Sequence, residues 1–243
     1  MYTDLHCHCL PSLDDGPVDT TESLAMCRAL VADGITKVIA TPHQLGRFDG
    51  LYEAGDIRSA VTDFKTQLAD AGVPLEVLAG AEIRVDERII SLLEEDRILT
   101  LADGGRFLLL ELMPDIMIDV SFLIDQLADR GVTTIIAHPE RCEYLGRNLQ
   151  VVSKWLDIGA KLQVTACSLI GQCGTFAKKF GWNLLERNWV SYIATDAHSL
   201  EIRRPAMKAA YDAISETFGR QRAEELCVIN PDEVASTADS LKS

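Results

Sequence analysis

Long apolar segments are missing from this sequence, and so is a leader-like stretch at its start. No apolar run approaches the roughly 18 residues that a membrane-spanning helix needs. No charged and then apolar leader precedes Asp4-Leu5-His6. We therefore expect a protein without a membrane span that resides in the cytoplasm.

Positive charge is also scarce. The 243-residue chain carries 23 lysines and arginines against 37 aspartates and glutamates, so its formal net charge is −14. An acidic surface repels the phosphates of nucleic acids and anionic lipids, which argues against nucleic acid and membranes as bulk partners. An anionic substrate would have to be attracted by a local positive centre, such as metal ions or a few arginines.

The seven cysteines lack the even number and regular spacing of a disulfide framework, so we expect reduced thiols. A thiolate phosphatase loop needs an arginine six residues after its cysteine, and no cysteine here has one. Cys142 comes nearest, but Arg147 is one residue too close. The Gly-x-x-x-x-Gly-Lys phosphate loop and the Gly-x-Ser-x-Gly nucleophile motif are absent as well.

Short apolar, β-branched runs alternate with helical patterns along the whole chain. Strands are predicted at Tyr2–His6, Thr36–Thr41, Leu75–Ala79, Phe107–Leu112, Thr133–Ala137, Lys161–Thr165 and Ser191–Thr195. Strands that alternate with helices favour a parallel sheet, and seven of them favour an α/β fold closed into a (β/α)₇ barrel. An open doubly wound sheet is the alternative. The length and the lack of a linker suit a single domain over residues 1–243.

The helical stretches have recognisable ends. Asp19-Thr20-Thr21-Glu22 has the form of a capping box, and Gly34 is the expected stop of the helix that follows. Further helices are predicted from apolar spacing: Ile57, Val61, Phe64 and Leu68; Val120, Leu123 and Leu127; Met207, Ala210, Tyr211 and Ile214.

All five histidines fall at predicted strand ends. His6 and His8 close the first strand, where residues i and i+2 point to the same side, so both imidazoles can bind one metal while Cys7 faces away. His43 and His138 follow the second and fifth strands, and His198 follows the seventh as part of Asp196-Ala197-His198. Scattered structural histidines would rarely gather in this way.

Carboxylates accompany the histidines. Glu111 follows four apolar residues in the fourth predicted strand, where burial of a charge is costly unless it is paired or binds a metal. Asp14 and Asp15 precede Gly16 and would by themselves indicate only a turn. A set of histidine and carboxylate ligands suits Mn²⁺, Fe²⁺ or Zn²⁺. The candidates are too many for one ion, and two or three adjacent ions could activate water as hydroxide and neutralise phosphoryl charge.

The motifs resemble the polymerase and histidinol phosphatase (PHP) superfamily. They are His6-Cys7-His8, Leu13-Asp14-Asp15-Gly16, Thr41-Pro42-His43, Gly80-Ala81-Glu82-Ile83-Arg84, Leu110-Glu111, Ala137-His138-Pro139-Glu140-Arg141 and Thr195-Asp196-Ala197-His198. Within it, the sequence is most similar to the bacterial metal-dependent protein tyrosine phosphatases of capsular and exopolysaccharide operons.

The resemblance implies a distorted (β/α)₇ TIM-like barrel with two or three divalent ions, commonly Mn²⁺, with Fe and Zn as alternatives. The implied ligands are His6, His8, Asp15, His43, Glu82, Glu111, His138, Asp196 and His198. Asp15 is chosen over Asp14 by its spacing from His6. Arg141 and Arg203 match arginines that hold the substrate phosphate, with Arg204 as the alternative to Arg203. Glu111 is expected to contribute to catalysis by bridging two ions. The segment 44–55 departs from the family and is a candidate for the substrate rim.

The resemblance further implies hydrolysis of phosphotyrosine on a protein, most simply a bacterial tyrosine kinase that controls polysaccharide synthesis. Two alternatives remain open. One is a small-molecule phosphoesterase such as a histidinol-phosphate phosphatase, and the other is a non-catalytic binding module on the same barrel. No general acid is evident, and Glu140 is the nearest candidate in sequence.

Overall fold

The computed structural model describes residues 1–239, which form an α/β fold. Its strands are β1 (Tyr2–Cys7), β2 (Ile35–Ala40), β3 (His43–Gln44), β4 (Glu76–Ala79), β5 (Glu82–Arg84), β6 (Phe107–Glu111), β7 (Thr133–Ala137), β8 (Lys161–Thr165) and β9 (Val190–Ala194). The predicted strands are all confirmed, with ends shifted by at most one residue, and β3 and β5 are additional.

Helices follow most of the strands. They are α1 (Thr20–Ala32), α2 (Ala54–Asp70), α3 (Ile89–Glu94), α4 (Ser121–Ala128), α5 (Glu143–Arg147), α6 (Leu149–Asp157), α7 (Ala166–Leu169), α8 (Thr175–Glu186), α9 (Met207–Phe218), α10 (Arg220–Glu224) and α11 (Asn230–Ala235). Short 3₁₀ turns lie at Gly46–Phe48, Leu101–Asp103, Pro139–Arg141 and Ser236–Asp239, and a π-helical turn lies at Glu225–Ile229. Among residues 1–239, no helix is long and apolar enough to cross a membrane.

The capping box predicted at the start of α1 is half formed. The Asp19 carboxylate accepts the backbone N–H of Glu22 at 2.9 Å. The Glu22 carboxylate accepts the N–H of Val18 instead of that of Asp19. The helix ends at Ala32, two residues before Gly34, whose φ of 94° suits glycine.

All strand pairs are parallel, in two sheets of order β1-β2-β4 and β3-β5-β6-β7-β8-β9. β3 follows β2, and β5 follows β4, after two residues each, so nine strands make seven parallel runs. A parallel bridge from Cys7 to Ala197 joins the run of β1 to the residues after β9. The fold is therefore the distorted seven-stranded α/β barrel that was predicted, and not an open doubly wound sheet.

The two interruptions have local causes. Pro42, between β2 and β3, has no backbone N–H to donate to a ladder. Gly80, between β4 and β5, lies so close to the neighbouring strand that an added Cβ would be 2.7 Å from the Ile39 side chain. Both interruptions stand immediately before a residue of the predicted site, namely His43 and Glu82.

Side chains that alternate along the strands form two separate apolar clusters. The smaller contains Leu5, Ile39, Leu109, Ile135, Ala137, Tyr192 and Ala194, together with Leu101 and Val234. The larger contains the intervening residues, such as Leu108, Leu110 and Ile136, and packs against the helices. Because side chains alternate along a strand, Glu111 shares the face of Leu109, which directs this carboxylate towards the barrel interior.

Candidate functional site

The carboxyl ends of the strands bring the predicted ligands together. His6 and His8 come from the end of β1, His43 from β3, Glu82 from β5 and Glu111 from the end of β6, while His138 and Asp196-Ala197-His198 follow β7 and β9. Asp15 lies in the loop before α1. In parallel barrels this edge is the usual place of the active site.

The ligand atoms form three groups, within each of which all atoms lie within 4.8 Å of one another. These groups are His8, Asp15, His43 and His198; His6, His8, Glu82 and Asp196; and His43, Glu82 and Glu111. The groups share His8, His43 and Glu82, so they form one continuous cluster. His138 joins it through a hydrogen bond of 2.8 Å between its Nε2 and Glu82 Oε1.

The hydrogen bonding of the cluster fits bound cations. Glu82 Oε2, Glu111 Oε2, Asp196 Oδ1 and His198 Nε2 are buried and have no hydrogen-bond partner within residues 1–239. Buried polar atoms are normally satisfied, so unpaired acceptors that face one another indicate a missing positive partner. Nitrogen and carboxylate oxygen are ligands that Mn²⁺, Fe²⁺ and Zn²⁺ accept.

The pKa values of the carboxylates in the cluster are shifted in different directions. Burial alone would raise the pKa values of Glu82 and Asp196, but the charge of His6 beside Glu82 and that of Arg141 beside Asp196 lead the effects that hold both values well below the usual range. Glu111 behaves oppositely, because burial and the neighbouring charge of Glu82 raise its pKa. The metal-free cluster thus keeps two firmly ionised carboxylates at its centre.

Neighbouring carboxylates favour the charged forms of the two histidines of β1. Burial works against the charged form of His6 and His8, but Glu82 and Asp196 around His6, and Asp14 beside His8, raise both pKa values above 6.5. His198 differs, since burial and the charge of His8 lower its pKa to about 4.

Metal binding should therefore release protons near neutral pH. A metal ion binds only the neutral imidazole, so His6 and His8 must lose the protons that they carry in the metal-free protein. We expect the number of protons released on metal binding to decline as the pH rises above these raised pKa values. Calorimetric titration of metal-free protein with Mn²⁺ in two buffers of different ionisation enthalpy measures this number. A binding enthalpy that is independent of the buffer would contradict the protonation states.

Two side chains outside the predicted set orient the β1 histidines. Gln163, on β8, accepts a hydrogen bond from His6 Nδ1 through its Oε1 at 2.9 Å, and Asp14 Oδ2 accepts one from His8 Nδ1 at 2.6 Å. Each bond leaves Nε2 facing the cluster, as a metal ligand requires. Burial would raise the pKa of Asp14, but the charge of His8 and its hydrogen bond lower it to about 2. Asp14 thus supports the cluster, while Asp15 is a member of it.

Several site residues have left-handed backbone. His138, Asp196 and Arg203 have φ values of 33°, 51° and 54°, a conformation that costs free energy for residues other than glycine. Asp196 and His198 lie beyond β9, which ends at Ala194, so strand geometry does not position them. A turn places both instead: the Asp196 N–H donates to the His6 carbonyl and the His198 N–H donates to the Arg203 carbonyl.

Both predicted phosphate-binding arginines face the cluster. Arg141 Nη1 donates to Asp196 Oδ2 at 2.5 Å, and Arg203 Nη1 donates to the same oxygen at 3.3 Å. Arg203 Nη2 also lies 3.5 Å from Asp15 Oδ2. Arg204 is exposed and forms no ion pair within the described residues, so of the two neighbours Arg203 is the one that faces the site.

A cavity of about 300 Å³ opens onto the cluster and adds residues that the sequence did not single out. Its wall includes Arg84, which lies 2.8 Å from Glu111, and Phe48, whose ring is stacked on His43. Arg84 stands two residues after Glu82 on one strand, a spacing that could have revealed it. Phe48, with Leu45 and Arg47 in the wall, belongs to the segment 44–55 proposed as the substrate rim.

Glu140 does not reach the cavity. Its Oε1 accepts hydrogen bonds from the Thr165 backbone N–H at 3.1 Å and from the Ser168 hydroxyl at 2.8 Å. The side chain is fully buried among these groups at the start of α7. It therefore fixes α7 against the turn after β7, and the interpretation of Glu140 as a general acid is wrong.

The expectation that all cysteines are reduced is wrong for one pair. Cys167 and Cys173 form a disulfide, with Cα atoms 5.9 Å apart, because the chain turns back after α7. Arg141 Nη2 lies 3.6 Å from Cys167 Sγ and 3.8 Å from Cys173 Sγ. The other five cysteines are free and buried. Cys7 is turned from the cluster towards the Ala197 carbonyl, as predicted.

A family model described as capsular polysaccharide synthesis, CpsB/CapC, matches residues 2–236 of the chain. The tyrosine-protein phosphatase YwqE of Bacillus subtilis is 34% identical over 221 residues, which are 90% of this chain and 85% of that protein. The tyrosine-protein phosphatase CpsB of Streptococcus pneumoniae is 31% identical over 94% of this chain and 96% of its own length.

Solved structures show the same likeness. The fold matches a crystal structure from work on YwqE of Bacillus subtilis and CpsB of Streptococcus pneumoniae, described as unique metal-dependent tyrosine phosphatases. The TM-score is 0.86 at 32% identity, over 98% of this chain and 93% of that one. An organophosphorus hydrolase from Deinococcus radiodurans, at 14% identity and a TM-score of 0.61 over 96% of this chain and 92% of that one, shares the fold alone.

Proposed function

We propose that this chain, which belongs to the capsular polysaccharide synthesis family CpsB/CapC, is a metal-dependent protein tyrosine phosphatase. The observation that carries the proposal is the continuous cluster of histidines and carboxylates with two arginines beside it, at the floor of one cavity. A non-catalytic module would have no need to keep such a cluster intact.

The residues proposed to hold the metal are His6, His8, Asp15, His43, Glu82, Glu111, His138, Asp196 and His198. The three overlapping groups suit two or three ions, and we propose Mn²⁺, with Fe and Zn as alternatives. Bound ions would supply an activated water for attack at phosphorus and neutralise charge on the phosphoryl oxygens. Glu111, paired with Arg84, lies 3.5 Å from His43 Nδ1 and belongs to the group of His43 and Glu82, and we propose that it would bridge two ions.

Arg141 and Arg203 are proposed to hold the phosphate. Guanidinium groups bind phosphate oxygens by charge-assisted hydrogen bonds, often two at a time. Both groups donate hydrogen bonds to Asp196 Oδ2. When Asp196 serves as a ligand, the same arginines remain at the cavity wall and can bind the oxygens of a phosphoryl group as charge develops there.

The cavity wall offers an aromatic substrate an apolar contact. Leu45, Phe48, Leu112 and Pro114 line it beside the arginines. Phe48 is already flanked by His43, whose ring centroid is 5.4 Å away, and by the Arg47 guanidinium at 4.6 Å. We propose that the phenyl ring of phosphotyrosine packs in this part of the cavity, which would fix the scissile bond over the cluster.

Aryl phosphates should be hydrolysed faster than alkyl phosphates. Tyrosine has a pKa of about 10, so its oxygen leaves with little protonation, whereas a serine alkoxide needs a general acid. The histidines and carboxylates of the wall, which are His43, His138, Asp15 and Glu111, are assigned to the metal cluster, and burial raises the pKa of Cys142 to about 11. Among residues 1–239 that line the cavity, no further side chain is suited to protonate the leaving group. We expect kcat/KM to be at least about a hundredfold higher for a phosphotyrosine peptide than for its phosphoserine counterpart.

The test compares matched phosphotyrosine and phosphoserine peptides with histidinol phosphate, under defined metal. Equal kcat/KM for phosphotyrosine and phosphoserine would overturn the tyrosine-phosphatase assignment but leave a metal-dependent phosphoesterase. Preference for histidinol phosphate would favour the small-molecule alternative.

The physiological substrate is proposed to be a phosphotyrosine protein, most simply a bacterial tyrosine kinase that controls polysaccharide synthesis. The family description places this chain with capsular polysaccharide proteins, where phosphorylation of such a kinase would need a counteracting enzyme. We further propose that residues 1–243 act as one catalytic domain and that the protein works in the cytoplasm.

A further inference from the structure

A second cavity, of about 710 Å³, adjoins the catalytic one. Arg141 and Arg203 line both cavities, so a phosphate held by these arginines lies next to both. The rest of its wall consists of Gln172, Cys173, Glu201, Ile202 and Arg204, which together with the two shared arginines we call the flanking groove.

The flanking groove is positively charged on an acidic protein. Its wall has three arginines and one carboxylate, although the chain as a whole carries a net charge of −14. Arg141 and Arg203 are engaged with Asp196, whereas the Arg204 side chain forms no ion pair or hydrogen bond with any other residue in 1–239. The groove thus presents one uncompensated guanidinium at its outer edge.

The segment that carries Arg204 is held in place. The Ser199 hydroxyl donates to the Ile202 carbonyl at 3.0 Å and accepts the Ile202 N–H at 2.9 Å. The His198 N–H donates to the Arg203 carbonyl, which ties the segment to the metal cluster. Consecutive arginines therefore have separate positions, since Arg203 lines both cavities and Arg204 lines only the groove.

Resting on the proposed function, we infer that the flanking groove binds acidic residues next to the phosphotyrosine of the substrate. When Arg141 and Arg203 hold the phosphate, residues next to the phosphotyrosine can lie along the groove that these two arginines also line. A glutamate or aspartate there would form an ion pair with Arg204. Ile202, which is 70% exposed, offers the peptide an apolar contact. Glu201 would oppose the same acidic residue.

The test uses two phosphotyrosine peptides of equal length, with glutamates on both sides of the phosphotyrosine in one and glutamines at those positions in the other. The native enzyme should favour the acidic peptide in kcat/KM by about three- to fivefold, mainly through KM, and the preference should shrink in high salt. Arg204→Ala should bring the ratio of the two peptides close to one. Glu201→Gln should raise the ratio, which gives two variants with opposite expected signs.

Arg220→Ala is the matched control, since it removes an exposed arginine of α10 that lies outside both cavities, and it should leave the ratio unchanged. Equal kcat/KM for the two peptides in the native enzyme, or an acidic preference that persists in Arg204→Ala, would overturn the assignment of the groove. Hydrolysis of p-nitrophenyl phosphate, which has no flanking residues, is measured alongside. Its absence in the native enzyme would overturn the phosphatase proposal itself, so the two failures are distinguishable.

Discussion

Removal of divalent metal by a chelator is expected to reduce phosphotyrosine hydrolysis to background, and added Mn²⁺ should restore it. The buried atoms of Glu82, Glu111, Asp196 and His198 that have no hydrogen-bond partner within residues 1–239 are those that bound ions would contact. Neither a cysteine phosphate loop nor a serine nucleophile motif is present to take over the reaction. The measurement is the rate before and after dialysis, with metal content determined on the same samples. Full activity in metal-free protein would refute the metal mechanism.

Alkylation of cysteine serves as the control for this experiment. The five free cysteines are buried, and burial raises the pKa values of Cys7 and Cys142 to about 11, so neither is a ready thiolate. Treatment of the folded, metal-loaded enzyme with iodoacetamide should change the rate little. Complete loss of activity with the metal content intact would point to a thiolate nucleophile instead.

Glu82→Gln should be the most damaging single substitution of the cluster. The Glu82 Oε2 atom lies 3.2 Å from His6 Nε2, 3.3 Å from His8 Nε2 and 3.1 Å from His43 Nδ1, so one carboxylate faces three histidines. An amide keeps the shape but loses the charge and offers a donor where ligand atoms are needed. We expect metal affinity and kcat/KM to fall by more than about a hundredfold, beyond the usual loss for an indirect partner of a metal.

Two further variants serve as comparisons for the effect of Glu82→Gln. Glu111→Gln should be milder, because Glu111 Oε2 approaches only His43, at 3.5 Å, among the histidines. Glu186→Gln makes the same chemical change on the exposed end of α8 and should leave metal content and rate unchanged. Melting temperatures of all three separate loss of ions from loss of folding. A Glu82→Gln enzyme with native metal content and native rate would remove Glu82 from the site.

The parallel arrangement explains why so much of the cluster could be predicted. Carboxyl ends of parallel strands meet at one edge, so polar residues that each follow an apolar run converge there even when they are far apart in sequence. His6 and Glu111 lie at the ends of β1 and β6, and His138 directly follows β7. The strand periodicity was therefore enough to place them without knowledge of the tertiary contacts.

Other features depend on contacts that a linear pattern does not contain. β3 and β5 have only two and three residues, too few for any periodicity. Gln163 orients His6 across 157 residues, and an isolated glutamine in a strand gives no sign of such a partner. The separate positions of Arg203 and Arg204 follow from the left-handed backbone at Arg203. The disulfide of Cys167 and Cys173 arises from a local reversal of the chain. The number and spacing of cysteines can indicate a framework of several disulfides, but they do not predict a single local pair.

The bridge between Cys7 and Ala197 also affects the order of events during folding. These residues are 190 positions apart, and the histidines of β1 meet Asp196 only where this bridge forms. Contacts of such sequence separation form late, because a long loop must first be closed. A chain still being synthesised therefore has no complete ion-binding site until its last strand has emerged. The protein should bind its ions only after nearly the whole chain has been synthesised. The bound ions should then stabilise the contact between the first strand and the last.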